Sequence, residues 1–366
     1  MKNASGNVTS SSSASQKLRL DFYESGLGET IIITFPSGGI GVVDAHPSKV
    51  GSRPKILDLV KGKRVHFVCL THPHQDHGLD LIQILKNHPK VESFWHTIFE
   101  TPAFLYLMGE TTNFPSDVQK YVSKMNQDWG DFFIDILGEV VTKNIPDHLL
   151  RSNLFPDEID GVKIHCLSPS EEIQNEFSKT YRAKLQKPET EIPDPNLLSA
   201  VLALRFGESV VLLGADALTK NWTGALQNYH KRKLPKTVIL KVPHHGARNA
   251  FDLRKKATTY LDICSHQPKA KAVIFAGDAN HPDNDVFGRI RSRADTVCLS
   301  NGRKSALASL NPLKLQLPGA SYVHPAHICN AVVSFELDGQ GNVSLTRGVE
   351  CDAGCLATAR PAQSAK

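Results

Sequence analysis

Between Thr71 and Leu79 the chain reads THPHQDHGL, so His72, His74, Asp76 and His77 spell H-x-H-x-D-H. The residues just before them, Val65 to Leu70 (VHFVCL), are a continuous apolar run of the kind that forms a buried strand. Four ligand-type side chains therefore fall on the loop at a strand end. Imidazoles two apart on extended backbone can close on one ion, and the Asp-His pair beyond can turn to a second. Neutral imidazole with carboxylate suits zinc or another divalent first-row metal. The fold has to bring this loop to a place where later parts of the chain complete the site.

Those later parts are legible as further strand ends. Thr30 to Phe35 (TIIITF) and Ile40 to Asp44 (IGVVD) read as a hairpin around Pro36-Ser37-Gly38-Gly39, with Asp44 at its end. A helix is expected from Gly78 to His88 and a short strand from Val91 to Trp95. Strands return at Val162 to Leu167, at Leu197 to Phe206 and at Ser209 to Leu213, the last pair joined by Gly207-Glu208. VVLLGADAL delivers Asp216 past its strand, and Val238 to Val242 (VILKV) runs into Pro243-His244-His245-Gly246. Late strands are expected at Ala272 to Ala276 and Ala331 to Leu337. Strand pairs followed by helices, without a fixed repeat, argue for an α/β protein with two packed sheets and helices outside.

At 366 residues the chain is long for one domain, but its 40% hydrophobic content gives ample core. We read residues 1–17, Ser/Asn-rich and without the apolar core of a signal peptide, as a disordered leader. Residues 18–345 form the domain, 98–150 a helical insertion and 346–366 a tail. No stretch is apolar for long enough to span a bilayer, and the chain is expected to be cytoplasmic. Seven scattered cysteines, at 69, 166, 264, 298, 329, 351 and 355, do not suggest a disulfide framework. HPAHIC (His324, His327, Cys329) with Cys351 and Cys355 lacks a familiar zinc-knuckle spacing and reads as tail.

The order H-x-H-x-D-H, Asp216, His244-His245, with Asp44 ending an earlier strand, is similar to the metallo-β-lactamase superfamily. The finer pieces resemble the hydrolase domain of ComEC-type competence proteins and their soluble relatives: Asn196-Leu197-Leu198-Ser199 leading to LLGAD, the run LKVPHHGA, and AVIFAGDANHP ending in His281-Pro282. The resemblance implies a four-layer αββα sandwich with the site on one edge. It puts His72 and His74 on a first metal, Asp76 and His77 on a second, and Asp216 between them. The late histidine completes the second site and Asp44 orients the loop. Adjacent residues at a strand end point in different directions, so one of the histidine pair can bind metal; His245, which precedes Gly246, is favoured, with His244 supporting it or serving as proton donor. Two departures stand out. Ala247 occupies a place where relatives carry Ser. No G-H-T type turn supplies a further histidine: His165 is mid-strand, and Asn196 and Ser199 take the comparable place. The first ion then has weaker protein ligands and would exchange readily or prefer manganese.

The implied cofactors are two divalent ions, zinc or manganese, which activate a water for attack. Asp76 can steer the proton, while His244, His281 and Arg248 are candidates to assist the leaving oxygen. Arg254, Lys255, Lys256, Arg289, Arg291, Arg293, Arg303 and Lys304 bias the later half positive, although net charge is only +5. Singly they read as surface charge; as a group they suit a backbone of phosphates. The expected function is a phosphodiesterase, with a nuclease and nucleic acid as substrate first. Small phosphodiesters such as cyclic nucleotides, and carbonyl substrates such as lactones or thioesters, are the alternatives. A non-catalytic binding module is disfavoured by the intact ligand set.

Overall fold

The computed structural model describes residues 17–25, 28–47, 55–97, 131–152, 157–187, 194–254, 257–275, 281–299 and 332–347. The leader up to residue 16, most of the 98–150 insertion, residues 324–329 and the end of the tail lie outside them, as do Lys255, Lys256, Arg303 and Lys304.

The chain begins with an antiparallel trio, β1 (Lys17–Ser25), β2 (Gly28–Thr34) and β3 (Ile40–Val43). In β1 the alternation Leu18, Leu20, Phe22 buries one face, the period-2 signature of a strand. Then β4 (Val65–Leu70), β5 (Phe94–His96) and β6 (Asp147–Leu149) add in parallel. A second sheet holds β7 (Asp157–Ile159), β8 (Val162–Ser168), β9 (Val201–Phe206) and β10 (Ser209–Leu213), antiparallel in turn. It continues in parallel through β11 (Thr237–Lys241), β12 (Lys271–Phe275) and β13 (Asp295–Leu299). The chain then returns to the first sheet, where β14 (Val332–Asp338) pairs antiparallel with β1 and turns into β15 (Val343–Arg347).

Three apolar clusters hold these elements together. Phe22, Ile31, Phe67 and Trp95 of the first sheet meet Leu202, Val211, Ile239 and Val273 of the second, so the sheets face one another. On the outer side of the first sheet, Val42 and Val68 pack against α1 (Ile56–Val60), α3 (Leu81–Asn87) and α4 (Asp131–Thr142). Between α1 and α3 lies the single turn α2 (Gln75–Gly78). After β8 comes α5 (Glu171–Gln186), opened by the Ser170 side chain accepting from the Ile173 N–H. The outer side of the second sheet packs Leu240 and Ile274 against Trp222 and Leu226 of α6 (Thr219–Lys231) and Ile290 of α7 (Asn284–Arg293). The protein is thus an α/β sandwich of two mixed sheets with helices against them.

Four readings shift. The strand expected from Leu197 starts only at Val201, after the tight turn Pro195–Leu198. The helix expected over residues 78–88 is broken at Leu79 and Asp80 into α2 and α3. The strand expected at Val91 to Trp95 starts at Phe94 instead. Within the part of the 98–150 stretch that is described, α4 is followed by β6, so this stretch contributes to the sheet as well as to the helices. Cys69, Cys166, Cys264 and Cys298 are buried free thiols. No helix among the described residues is long and apolar enough to cross a membrane.

Candidate metal centre

The site is built where strands from both sheets end. Asp44, just past β3, adopts a left-handed φ of 53° and is fully buried. Its Oδ1 accepts the Thr71 N–H at 2.9 Å, and its Oδ2 accepts the Thr71 hydroxyl and the His77 Nδ1–H, each at 2.7 Å. These bonds hold both ends of the loop after β4. The His77 Nδ1–H is committed to Asp44, so Nε2 faces inward, 3.9 Å from Asp76 Oδ2 and 3.7 Å from Asp216 Oδ2. That nitrogen is buried without a hydrogen-bond partner among the described residues. Carboxylate-oriented imidazole of this kind is the usual support of a metal-ligating histidine.

His72 is fixed the same way. The Thr71 hydroxyl gives its proton to Asp44, so its oxygen accepts from His72 Nδ1 at 3.1 Å, leaving Nε2 3.1 Å from His74 Nδ1. Nitrogens sharing one ion at about 2.0–2.1 Å stand roughly 3–4 Å apart, which these do. Burial, reinforced by nearby His77, holds the pKa of both His72 and His74 below the ordinary histidine value. Both are therefore neutral donors.

Asp216 lies beyond β10, after Ala215 in a left-handed turn (φ 42°). Its Oδ2 is the hub of the site: the Nε2 atoms of His77, His244 and His245 stand 3.7, 3.8 and 3.8 Å away. Such gaps are too long for hydrogen bonds and match the spacing of ligand atoms around a shared cation. Burial alone would raise the Asp216 pKa. Its interactions with His245, His77 and Lys241 outweigh burial and hold the group well below the usual carboxylate range. His77 shows the converse: burial opposes its charge, but Asp44, Asp76 and Asp216 together raise its pKa well above normal.

His244 and His245 do not diverge as strand-end neighbours do. Both sit in the left-handed region, at φ 45° and 54°, and this turn swings both rings to the same Asp216 oxygen. His245 donates Nδ1–H to the Phe275 carbonyl at 3.0 Å, which leaves Nε2 for the cluster. Burial lowers its pKa to about 4, against the pull of Asp216. His244 is somewhat more open, at 17% side-chain exposure, consistent with a place on the rim. His281 is one ring further out, its centroid 6.0 Å from His244 and 6.3 Å from His245. Arg248 is exposed, 3.9 Å from Asp283 and 3.7 Å from Asp285 at the start of α7.

Asn196 lies within the turn Pro195–Leu198 and Ser199 just after it, and this segment is fastened to the loop after β4 where Ala200 N–H donates to Thr71 O at 3.0 Å. Asn196 Oδ1 and Ser199 Oγ are buried with no hydrogen-bond partner among the described residues.

Two residues escaped the sequence reading. Glu29, near the start of β2, and Lys241, at the end of β11, are both fully buried and form an ion pair beneath the site. Burial raises the Glu29 pKa to about 8, with Lys241 opposing. Ligand atoms of Glu29, Asp216 and His245 lie within 4.8 Å of one another, as do those of His72, His77 and Asp216. A lysine inside the apolar run VILKV was the signal available for this pair.

The donor set fits a divalent metal. The neutral imidazoles of His72, His74 and His245, the buried carboxylate of Asp216 and unpartnered buried donors converge on a few ångströms. His72, His77 and Asp216, and Glu29, Asp216 and His245, are groups that could hold it, with His74, Asp76 and His244 beside them. The arginines divide differently. Helix α7 leaves the site end of β12 and runs back to the start of β13, so Arg289, Arg291 and Arg293 sit toward the opposite edge. A depression of about 640 Å³ lies between α6 and Asp252, Arg254, Ala257 and Thr258, and among the described residues the metal-competent groups lie apart from it, at the strand ends.

No family model matches the chain, and no curated protein matches it in sequence. Among solved structures it is similar to a variant of the CmlA β-hydroxylase, at 14% identity and a TM-score of 0.35, over 62% of this chain and 35% of that one. The chain thus spans about a third of that protein's length. It is also similar to a diphosphatase of the PhnP family, at 12% identity and a TM-score of 0.36, covering 88% of this chain and 99% of the other. A protein of unknown function from Enterococcus faecalis V583 gives 13% identity and a TM-score of 0.31, over 80% of this chain and 68% of that one. At these scores the likeness carries no weight for activity, and the geometry of the site has to.

Proposed function

We propose that this chain is a metal-dependent hydrolase with the helix–sheet–sheet–helix layering of a metallo-β-lactamase sandwich, and that its substrate is a phosphodiester. One observation carries the reading: a buried carboxylate oxygen, Asp216 Oδ2, has three imidazole nitrogens 3.7–3.8 Å away on loops from both sheets. Bound there, a divalent cation supplies Lewis acidity and a lowered pKa for water.

The chain's own groups fill the remaining roles. Asp44 locks His77 and Thr71, so the loop after β4 keeps its shape. Asp76, one third exposed at the mouth, is the base that takes up a proton. His244 and His281, neighbours on the rim, are the acids that face a leaving oxygen. Arg248 is the exposed cation that meets a phosphate. Phosphodiester is favoured over lactone or thioester because a rim arginine and rim histidines suit an anionic group with an alkoxide leaving group. Arg289, Arg291 and Arg293 lie in the part of α7 farther from the site end of β12, so a substrate gripped at one phosphate is preferred over duplex nucleic acid.

The test is hydrolysis of bis-p-nitrophenyl phosphate, cyclic nucleotides, single-stranded DNA, RNA and a lactone panel by chelator-treated protein resupplied with zinc or manganese. Turnover of a phosphodiester is expected, lost by at least ~10²-fold in Asp216→Asn. Turnover of lactones alone would move the assignment to carbonyl substrates.

A further inference from the structure

Resting on the metal reading above, we infer that Lys241 is a positioning residue: anchored by Glu29, its ammonium fixes the Ala215 carbonyl and the Oδ1 edge of Asp216, leaving Oδ2 to face the histidines. Lys241 ends β11 in one sheet and Glu29 lies in β2 of the other, so their ion pair bridges the sheets directly under the site. Both side chains are sealed from solvent. Lys241 Nζ also donates to Ala215 O at 2.7 Å and stands 3.7 Å from Asp216 Oδ1. That oxygen is buried and has no hydrogen-bond partner among the described residues, so Lys241 is the cation facing it.

The Ala215 carbonyl has a second donor, the His244 N–H at 2.9 Å. Two ligand-bearing loops, one with Asp216 and one with His244 and His245, therefore meet at one carbonyl oxygen that Lys241 holds. Lys241 is also 5.8 Å from the ring centre of Phe275, whose carbonyl takes the His245 Nδ1–H. Removing the ammonium would free the Asp216 carboxylate to rotate and would loosen the joint between the loops.

A buried ion pair is weak evidence of a stabilising role, because apolar or neutral replacements of both partners are often tolerated. That separates positioning from mere structure. Lys241→Met, Glu29→Gln and the double variant are compared in chelator-stripped, full-length protein by zinc titration calorimetry and by urea midpoint. In the double variant the metal-free midpoint is expected to approach wild type while zinc affinity stays ~10–100-fold weaker, the usual cost of losing a supporting contact. Glu29→Gln alone, with its carbonyl still accepting from Lys241, is expected to keep affinity within about threefold of wild type. A double variant that folds and binds zinc like wild type overturns the inference, and so does a Glu29→Gln loss as large as that of Lys241→Met. Asp216→Asn is the control that should lose zinc. Wild-type protein that takes up no zinc overturns the metal reading itself, and this inference with it.

Discussion

A histidine buried among cations behaves differently from one buried among carboxylates, and this chain holds both kinds. His77 is ringed by Asp44, Asp76 and Asp216, which raise its pKa well above the ordinary value. His165, in β8, is buried with Arg232, Arg205 and Lys163 nearby. Burial, then those three charges, lower its pKa from 6.5 to about 4. The unfolded chain therefore binds a proton at His165 that the fold refuses. Stability is fully present above pH 6.5 and is lost as pH falls toward 4, because the unfolded state binds more protons there. Replacing His165 by Leu removes that dependence. The stability of the Leu variant relative to wild type should rise by about 1–2 kcal/mol between pH 7 and pH 4.5, with the ring's partial solvent contact discounted. Urea midpoints at the two pH values measure it, and a gap that stays constant would show that His165 is not the group responsible.

Between elements, one tight constraint is the meeting of β2 with α2. A Cβ built on Gly28 would stand 2.2 Å from the Asp76 carbonyl oxygen and 2.4 Å from the His46 Cβ. The obstacle is backbone, so it cannot swing aside. Gly28→Ala should displace the loop carrying Asp76 and His77, destabilise the protein by ~1–3 kcal/mol and weaken metal binding. Denaturation together with zinc titration tests this; an Ala variant matching wild type in both would mean that the two elements are further apart in solution. The same meeting shows what sequence reading can and cannot reach. His72, His74, Asp76, His77, Asp216, His244 and His245 were legible because each follows a β-branched run, and a strand end is a local signal. Glu29 was not, since its meaning depends on Lys241 in the other sheet, and no local period encodes that pairing. The sharing of one oxygen by His244 and His245 was hidden for a second reason. Extended backbone would send them apart, and the left-handed turn that unites them goes against the preference of residues bearing a Cβ. The pairing of β1 with β14 likewise joins distant parts of the chain that only the closed sheet brings together.

Across the whole molecule, the candidate centre is a seam. Glu29, Asp44 and the loop after β4 come from the first sheet, and Asp216, His244, His245 and Lys241 from the second. Two buried carboxylates of the first sheet, Glu29 and Asp44, therefore lie near the buried Asp216 of the second, with Lys241 and His77 pairing with them. A divalent cation would add attraction where the sheets meet, and any ligand that binds the fold but not the unfolded chain stabilises it by mass action. At a hundredfold excess over Kd that is about 2.7 kcal/mol, a rise of several degrees in Tm for a domain of this size. Thermal melts of chelator-stripped protein against increasing zinc should therefore climb with the logarithm of free zinc once the site fills. The climb should vanish in Asp216→Asn. Hydrophobic burial between the sheets does not change with zinc, so the slope reports the seam alone. A Tm indifferent to zinc in the wild-type protein would mean that the loops meet for some purpose other than holding an ion.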